Sequence, residues 1–175
     1  MNLLFIGDVV GQSGCDFLES RMYKLKREYD IDVTVVNGEN SAQGNGITPQ
    51  SYRQLLNIGA DVVTTGNHSF RRREAEELYD TNEQLLRPAN YPEGVMGHGV
   101  TYIDMCPYKI AVVNLMGTMY MEAVENPFNY VDKLLESIDT PNIIVDFHAE
   151  TTSEKKAMGL SLIHISEPTR RSYIS

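Results

Sequence analysis

Six side chains in this sequence have the types and the placement to form a metal and proton-transfer site. Asp8 follows Gly7 at the end of NLLFIGD, Glu39 and Asn40 close NGEN, Asn67 and His68 stand in TTGNHSF, and His148 stands in DFHAE. Carboxylates, amide carbonyls and imidazoles are the donors that Mn, Fe and Zn accept. Neither cysteine, Cys15 or Cys106, joins these clusters, which argues against a structural zinc site. Each residue also has a plainer reading. Asp8 could cap a helix, Glu39 and Asn40 could be a polar loop, and Asn67 could be a turn residue. A lone His68 or His148 is more often a hydrogen-bonded structural histidine, and His98, between two glycines, reads as loop.

The elements behind these residues favour the site. Apolar or β-branched runs at 2–7, 32–37, 61–65 and 142–147 read as buried strands. Each of the four runs straight into one of the polar clusters. Helical patterns lie between them: Phe17, Leu18, Met22 and Leu25 at helical spacing in 14–29, a Thr48-Pro49 start and Gly59 stop around SYRQLLNI, a charged helix over 71–79, and a helix over 127–138 opened by Pro127. GVTYIDM and KIAVVNL, joined at Cys106–Tyr108, read as a hairpin, and LLRPANYPEG reads as irregular. Ser153 and Lys156 fall in a short closing helix. The expected class is α/β, a layered sandwich with a mostly parallel sheet plus one antiparallel hairpin. Ligands of such sheets bind beyond the carboxyl ends of the strands, where all six residues fall.

Composition narrows the function. The chain has 175 residues, 42% hydrophobic and 22% charged, enough for one domain with a real core. Its formal charge of −9 argues against an extended nucleic-acid surface. Bound cations would still let an acidic protein handle phosphates. No apolar run approaches a membrane span, and MNLLFIGD lacks the basic flank and cleavage site of a signal peptide, so a cytoplasmic location is expected. A homo-oligomer is left open. From residue 160 the text LSLIHISEPTRRSYIS loses amphipathic period and reads as the translation of a sequencing-library adapter. Residues 1–159 are therefore taken as genuine, the N-terminal part of a domain expected to be incomplete at its C-terminus, and 160–175 as a non-native tail.

Jointly, GDVVG at 7–11, NGEN at 37–40, GNH at 66–68, RPAN at 87–90 and DFHAETTSEK at 146–155 resemble the calcineurin-like metallophosphoesterases, and within them the YmdB-like branch. The resemblance covers essentially all of residues 1–159. It implies two divalent ions side by side, Fe or Mn first and Zn or Mg next. Asp8 would bind the first ion, Glu39 would bridge the two, and Asn40 would bind near the first or position a ligand water. Asn67 and His148 would hold the second. His68 would be a catalytic histidine that is not a ligand. The implied activity is hydrolysis of a phosphodiester in a small nucleotide, 2′,3′-cyclic mononucleotides in particular. Three positions depart from the family pattern: Cys15 follows Gly14 where an arginine is usual, Phe70 replaces a tryptophan, and Thr118 of NLMGT replaces an arginine. The family's later GTHTHV-like motif, whose two histidines complete the metal shells, has no counterpart here, and His164 in LIHIS is not counted as one. The resemblance therefore implies weak or single-metal binding by this polypeptide.

Two rivals stand beside the enzyme reading. One is a binding or signalling fragment that keeps the fold without turnover. The other is a metal-free nucleotide binder, against which the absence of GxGxxG or GxxxxGK[ST] counts.

Overall fold

The computed structural model describes residues 1–166. Two sheets are built in succession. The first has strands β1 (Leu3–Ile6), β2 (Val33–Asn37), β3 (Val62–Thr64) and β4 (Leu85–Leu86), all parallel and in that order. The second has β5 (Val100–Asp104), β6 (Lys109–Met116) and β7 (Ile143–His148). There β5 and β6 form the antiparallel hairpin, while β7 returns parallel to β6. Helices α1 (Gly11–Glu28), α2 (Pro49–Ile58), α3 (Glu76–Thr81), α4 (Pro127–Ser137) and α5 (Thr152–Ser166) make the connections.

Side-chain alternation builds four layers from these elements. Val36, Val63 and Leu85 point to one face of the first sheet and pack against Leu18 and Met22 of α1 and Tyr52 and Leu55 of α2. Val33, Val35, Val62 and Leu86 point to the other face and meet Ile110 and Val112 of β6, so the sheets pack face to face. Val113 and Leu115 then cover Val131 of α4 and Met158 of α5. The α/β sandwich expected from the sequence is the fold observed, with the strands divided between two sheets.

Local signals set the helix ends as expected. Thr48 Oγ1 accepts the Ser51 N–H in a capping box, Pro49 is the first helical residue, and Gly59 stops α2 in the left-handed region at φ 110°. Other details differ. Leu85–Leu86, inside the stretch read as irregular, forms β4, because two buried leucines and the Thr65–Leu86 contacts outweigh the nearby prolines. Phe17 is 65% exposed, with the Arg21 guanidinium 5.6 Å over its ring. Cys15, fully buried, takes its place on the inner face of α1. Helix α5 is longer than expected and runs unbroken past Gly159, with Leu162 partly packed on the β6–β7 side. Pro168, Arg170 and Arg171 lie outside the described residues. No helix among the described residues is long and apolar enough to cross a membrane.

Candidate metal centre

All six sequence-selected residues come together at the carboxyl ends of β1, β2, β3 and β7. Parallel pairing brings the ends of β1, β2 and β3 to one edge of the first sheet, and face-to-face packing of the second sheet adds the end of β7. Backbone bonds then gather the loops. Val9 N–H donates to the Asn37 carbonyl and Gly11 N–H to the Asn40 carbonyl, so the GDVVG loop rests on NGEN. Gly38 lets NGEN settle on the core: a Cβ there would lie 2.6 Å from Leu55 Cδ1 and 3.0 Å from Val63 Cγ1.

Glu39 is the centre of the cluster, 2% exposed. Its Oε1 lies 3.2 Å from His148 Nε2 and its Oε2 accepts the His68 backbone N–H at 3.2 Å. Among the described residues no lysine or arginine pairs with it. Burial pushes its carboxyl above the ordinary carboxylate range. The His148 imidazole and the His68 N–H oppose that, and the charges of Asp8 and Asp146 add to it. Asn67 Oδ1 lies 3.0 Å from the same His148 Nε2. Two oxygens and an imidazole nitrogen, from three strand ends, thus converge. Gly66 leaves the room, for a Cβ there would fall 2.2 Å from His148 Cδ2 and 2.5 Å from Glu39 Oε2.

Asn40 joins the two halves. Its Nδ2 donates to Asp8 Oδ1 at 2.7 Å and to Glu39 Oε1 at 3.4 Å. Ionised carboxylates only accept, so the amide nitrogen must face them. The Asn40 Oδ1 therefore faces His68, 2.6 Å from Nδ1, and that ring nitrogen must be the donor. The His68 Nε2 takes no part in that bond. Asp8 itself sits at φ 34°, a left-handed conformation costly for a non-glycine residue and characteristic of functional turns.

The turn that carries Asn67 and His68 is anchored from beneath. Thr65 and Ser69 hydroxyls lie 2.7 Å apart, Thr65 Oγ1 donates to the Leu86 carbonyl, and Ser69 Oγ donates to the Gly66 carbonyl. Phe70, the expected tryptophan position, packs on Tyr79 and Tyr91 with centroids at 5.0 and 5.6 Å. Opposite, Asn114 Nδ2 donates across the sheets to the carbonyls of Thr65 and Leu86. The far side of His148 is set by the loop after β6, where Gly117 N–H donates to the His148 carbonyl. Glu154 fixes that loop by accepting from Thr118 N–H, Thr118 Oγ1 and Met119 N–H. Thr118, which stands where the family pattern has arginine, is thus engaged in scaffolding. In RPAN, Asn90 exchanges hydrogen bonds with Met116, while Arg87 donates to loop carbonyls, so these residues are structural too.

Asp146 is the residue that sequence reasoning passed over. It belongs to the buried strand β7, and burial pushes its carboxyl upward, with the Thr64 and Asn37 side chains opposing. An acid inside the apolar run NIIVDF was the available signal. His98 bridges to β4 through Leu86 and takes no part, and His164 sits exposed near the end of α5.

The carboxylate, amide and imidazole set, with a buried Glu39 that among the described residues pairs with no lysine or arginine, has the chemistry of a divalent-metal site. Among the described residues, however, no three His, Cys, Asp or Glu side chains are arranged as a ready metal shell. Glu39 and His148 contact each other, and Asp8 reaches them through Asn40.

The sequence model of the YmdB-like protein family matches residues 4–164. The chain belongs to the YmdB-like family. A Bacillus subtilis (strain 168) relative named 2′,3′-cyclic-nucleotide 2′-phosphodiesterase is 44% identical over 161 residues, 91% of this chain and 61% of the relative. A crystal structure of a Thermus thermophilus protein superposes with TM-score 0.87 at 36% identity, covering 93% of this chain and 63% of that one. The structure of a Mycoplasma pneumoniae phosphatase follows, with TM-score 0.85 and 31% identity, over 92% and 59%. This YmdB-like chain therefore spans about three fifths of the length of the relatives it matches.

Proposed function

We propose that the protein is a metal-dependent phosphodiesterase that hydrolyses a small nucleotide, with 2′,3′-cyclic mononucleotides as the substrate class. The observation that carries this reading is the convergence of Glu39 Oε1 and Asn67 Oδ1 on His148 Nε2, with His68 held alongside by Asn40. Membership of the YmdB-like family and the name borne by the Bacillus relative support the substrate class. Asp8, Glu39 and Asn40 would hold one ion; Asn67 and His148, with Glu39 shared, would hold the other. Bound divalent ions, Fe or Mn before Zn or Mg, supply charge neutralisation for the phosphodiester and acidify a water. Glu39 keeps negative charge at the centre of the site and so sets its affinity for cations. Asn40 holds His68 Nδ1, leaving Nε2 to deliver a proton to the departing alkoxide oxygen, a task suited to imidazole near neutral pH. Asn67 fixes the His148 ring.

Incubation with Mn²⁺, followed by metal analysis and a 2′,3′-cyclic nucleotide hydrolysis assay, tests this. Two bound equivalents with metal-dependent turnover would support it in full; a chain that takes up no metal and cleaves nothing overturns it. The lack of a ready three-ligand shell among the described residues favours a second reading, in which this polypeptide binds one ion weakly and turns over little. One equivalent with residual activity would select it. We also propose that residues 160–175 are adapter-derived; a continuous gene sequence through codon 175 would refute this.

A further inference from the structure

A polar cleft of about 470 Å³ is built from segments that adjoin the metal centre in the sequence. Two of its walls continue directly from site segments: residues 41–43 follow Asn40, and Arg72 lies four residues beyond His68. The first turn of α2 closes a third side. Arg72 ties the walls together, donating from Nε to the Asn45 carbonyl and from Nη2 to the Ala42 carbonyl. Gly46 makes room for it, since a Cβ there would stand 2.7 Å from Arg72 Cγ. The floor has little left to offer a ligand, because the buried Ser41 and Ser51 hydroxyls bond each other.

The exposed side chains on the lining are three amides, the Arg53 guanidinium and the Glu74 carboxylate. Gln12, Gln43, Gln50 and Arg53 line the opening, and all four are exposed. Gln12 directs its Nε2 to Asp16 and Gln54, which leaves its Oε1 as an acceptor. Arg53 uses Nε on the Pro49 carbonyl and keeps its planar end at the cleft. An amide pairs a donor with an acceptor, the pattern that reads the edge of a nucleobase. A guanidinium plane stacks on a base face. The volume suits a ligand of nucleoside size.

We propose that this cleft receives the nucleobase and ribose of the substrate while its phosphodiester lies at the strand ends. The inference rests on the phosphodiesterase reading above. Adenosine, guanosine, cytidine and uridine carry no phosphate and need no metal, so each is titrated calorimetrically into the full 175-residue chain without added cation. At least one should bind saturably, and Gln43→Ala/Gln50→Ala should weaken it about tenfold, the loss of two hydrogen bonds. Both side chains are exposed, and circular dichroism checks that the variant folds. Failure of all four nucleosides to bind, or equal affinity in the variant, overturns the cleft. Binding of a nucleoside by a chain that never hydrolyses bis(p-nitrophenyl) phosphate with Mn²⁺ keeps the cleft and refutes the phosphodiesterase reading. Hydrolysis without nucleoside binding does the reverse.

Discussion

At the scale of single residues, His68 and Gly66 make the sharpest claims. His68 meets Glu39 through its backbone N–H, and its Nδ1 lies 2.6 Å from Asn40 Oδ1 and 3.7 Å from Glu39 Oε1, so its ring is held in place from one side. In His68→Ala, metal content should persist while turnover falls by about 100- to 10,000-fold, the range for a lost general acid. Metal analysis beside the hydrolysis assay checks this, and loss of metal would make His68 a ligand instead. Gly66 is there for space rather than for backbone freedom, because the Cβ of an alanine would overlap the His148 ring and the Glu39 carboxylate. Gly66→Ala should cost about 1–3 kcal/mol of stability through overpacking. It should also abolish metal uptake. Unchanged uptake would show that the Glu39–His148 contact does not form the site.

At the scale of elements, α5 supports the site through Glu154. Burial alone would raise this carboxyl. The N–H groups of Thr118 and Met119 and the hydroxyls of Thr118 and Thr151 outweigh burial and hold it below the ordinary range. A depressed folded-state value means that the stabilisation is complete above the unfolded value, about pH 4.3. It is lost as pH falls through the folded value. Glu154→Gln should therefore melt below the wild type at pH 7, and the gap should close as the solution is acidified. A gap independent of pH would assign Glu154 a packing role only. Because Gly117 connects the pinned loop to the His148 carbonyl, the variant should also bind metal more weakly. The strands themselves were legible in the text, since period and β-branching are local. The pairing of Leu85–Leu86 was not, because two residues carry no period and only the neighbouring β3 supplies their partners.

At the scale of the whole molecule, the two sheets bury their shared face and cover the outer faces with helices, yet β1 stands apart. It pairs only with β2 and alternates out of the core, leaving Leu3 at 36% and Phe5 at 40% exposure beside Met1 at 60%. An exposed edge strand with apolar side chains is a template for association. The protein should bind the dye ANS and self-associate at high concentration, while Phe5→Lys should reduce both and leave the circular dichroism unchanged. Sedimentation velocity of the two proteins decides it; identical behaviour would place the contact elsewhere.

Which residues could do chemistry, and which strands would present them, was already settled in the linear chain. Residue type sets donor chemistry, and the polar clusters GD, NGEN, GNH and DFHAE each follow an apolar run. The family pattern was visible there too, in motifs separated by dozens of residues. How these residues meet was a matter for the folded chain alone. Asn40 between Asp8 and His68, and Glu39 between His148 and the His68 N–H, are contacts between segments 28 to 109 residues apart. Such contacts depend on parallel register and face-to-face sheet packing, which no local pattern encodes. The division into two sheets, the support of His148 by Glu154, and the cleft between residues 41–43 and Arg72 belong to the same class. Each exists because distant segments are brought together, and burial then changes what their groups can do.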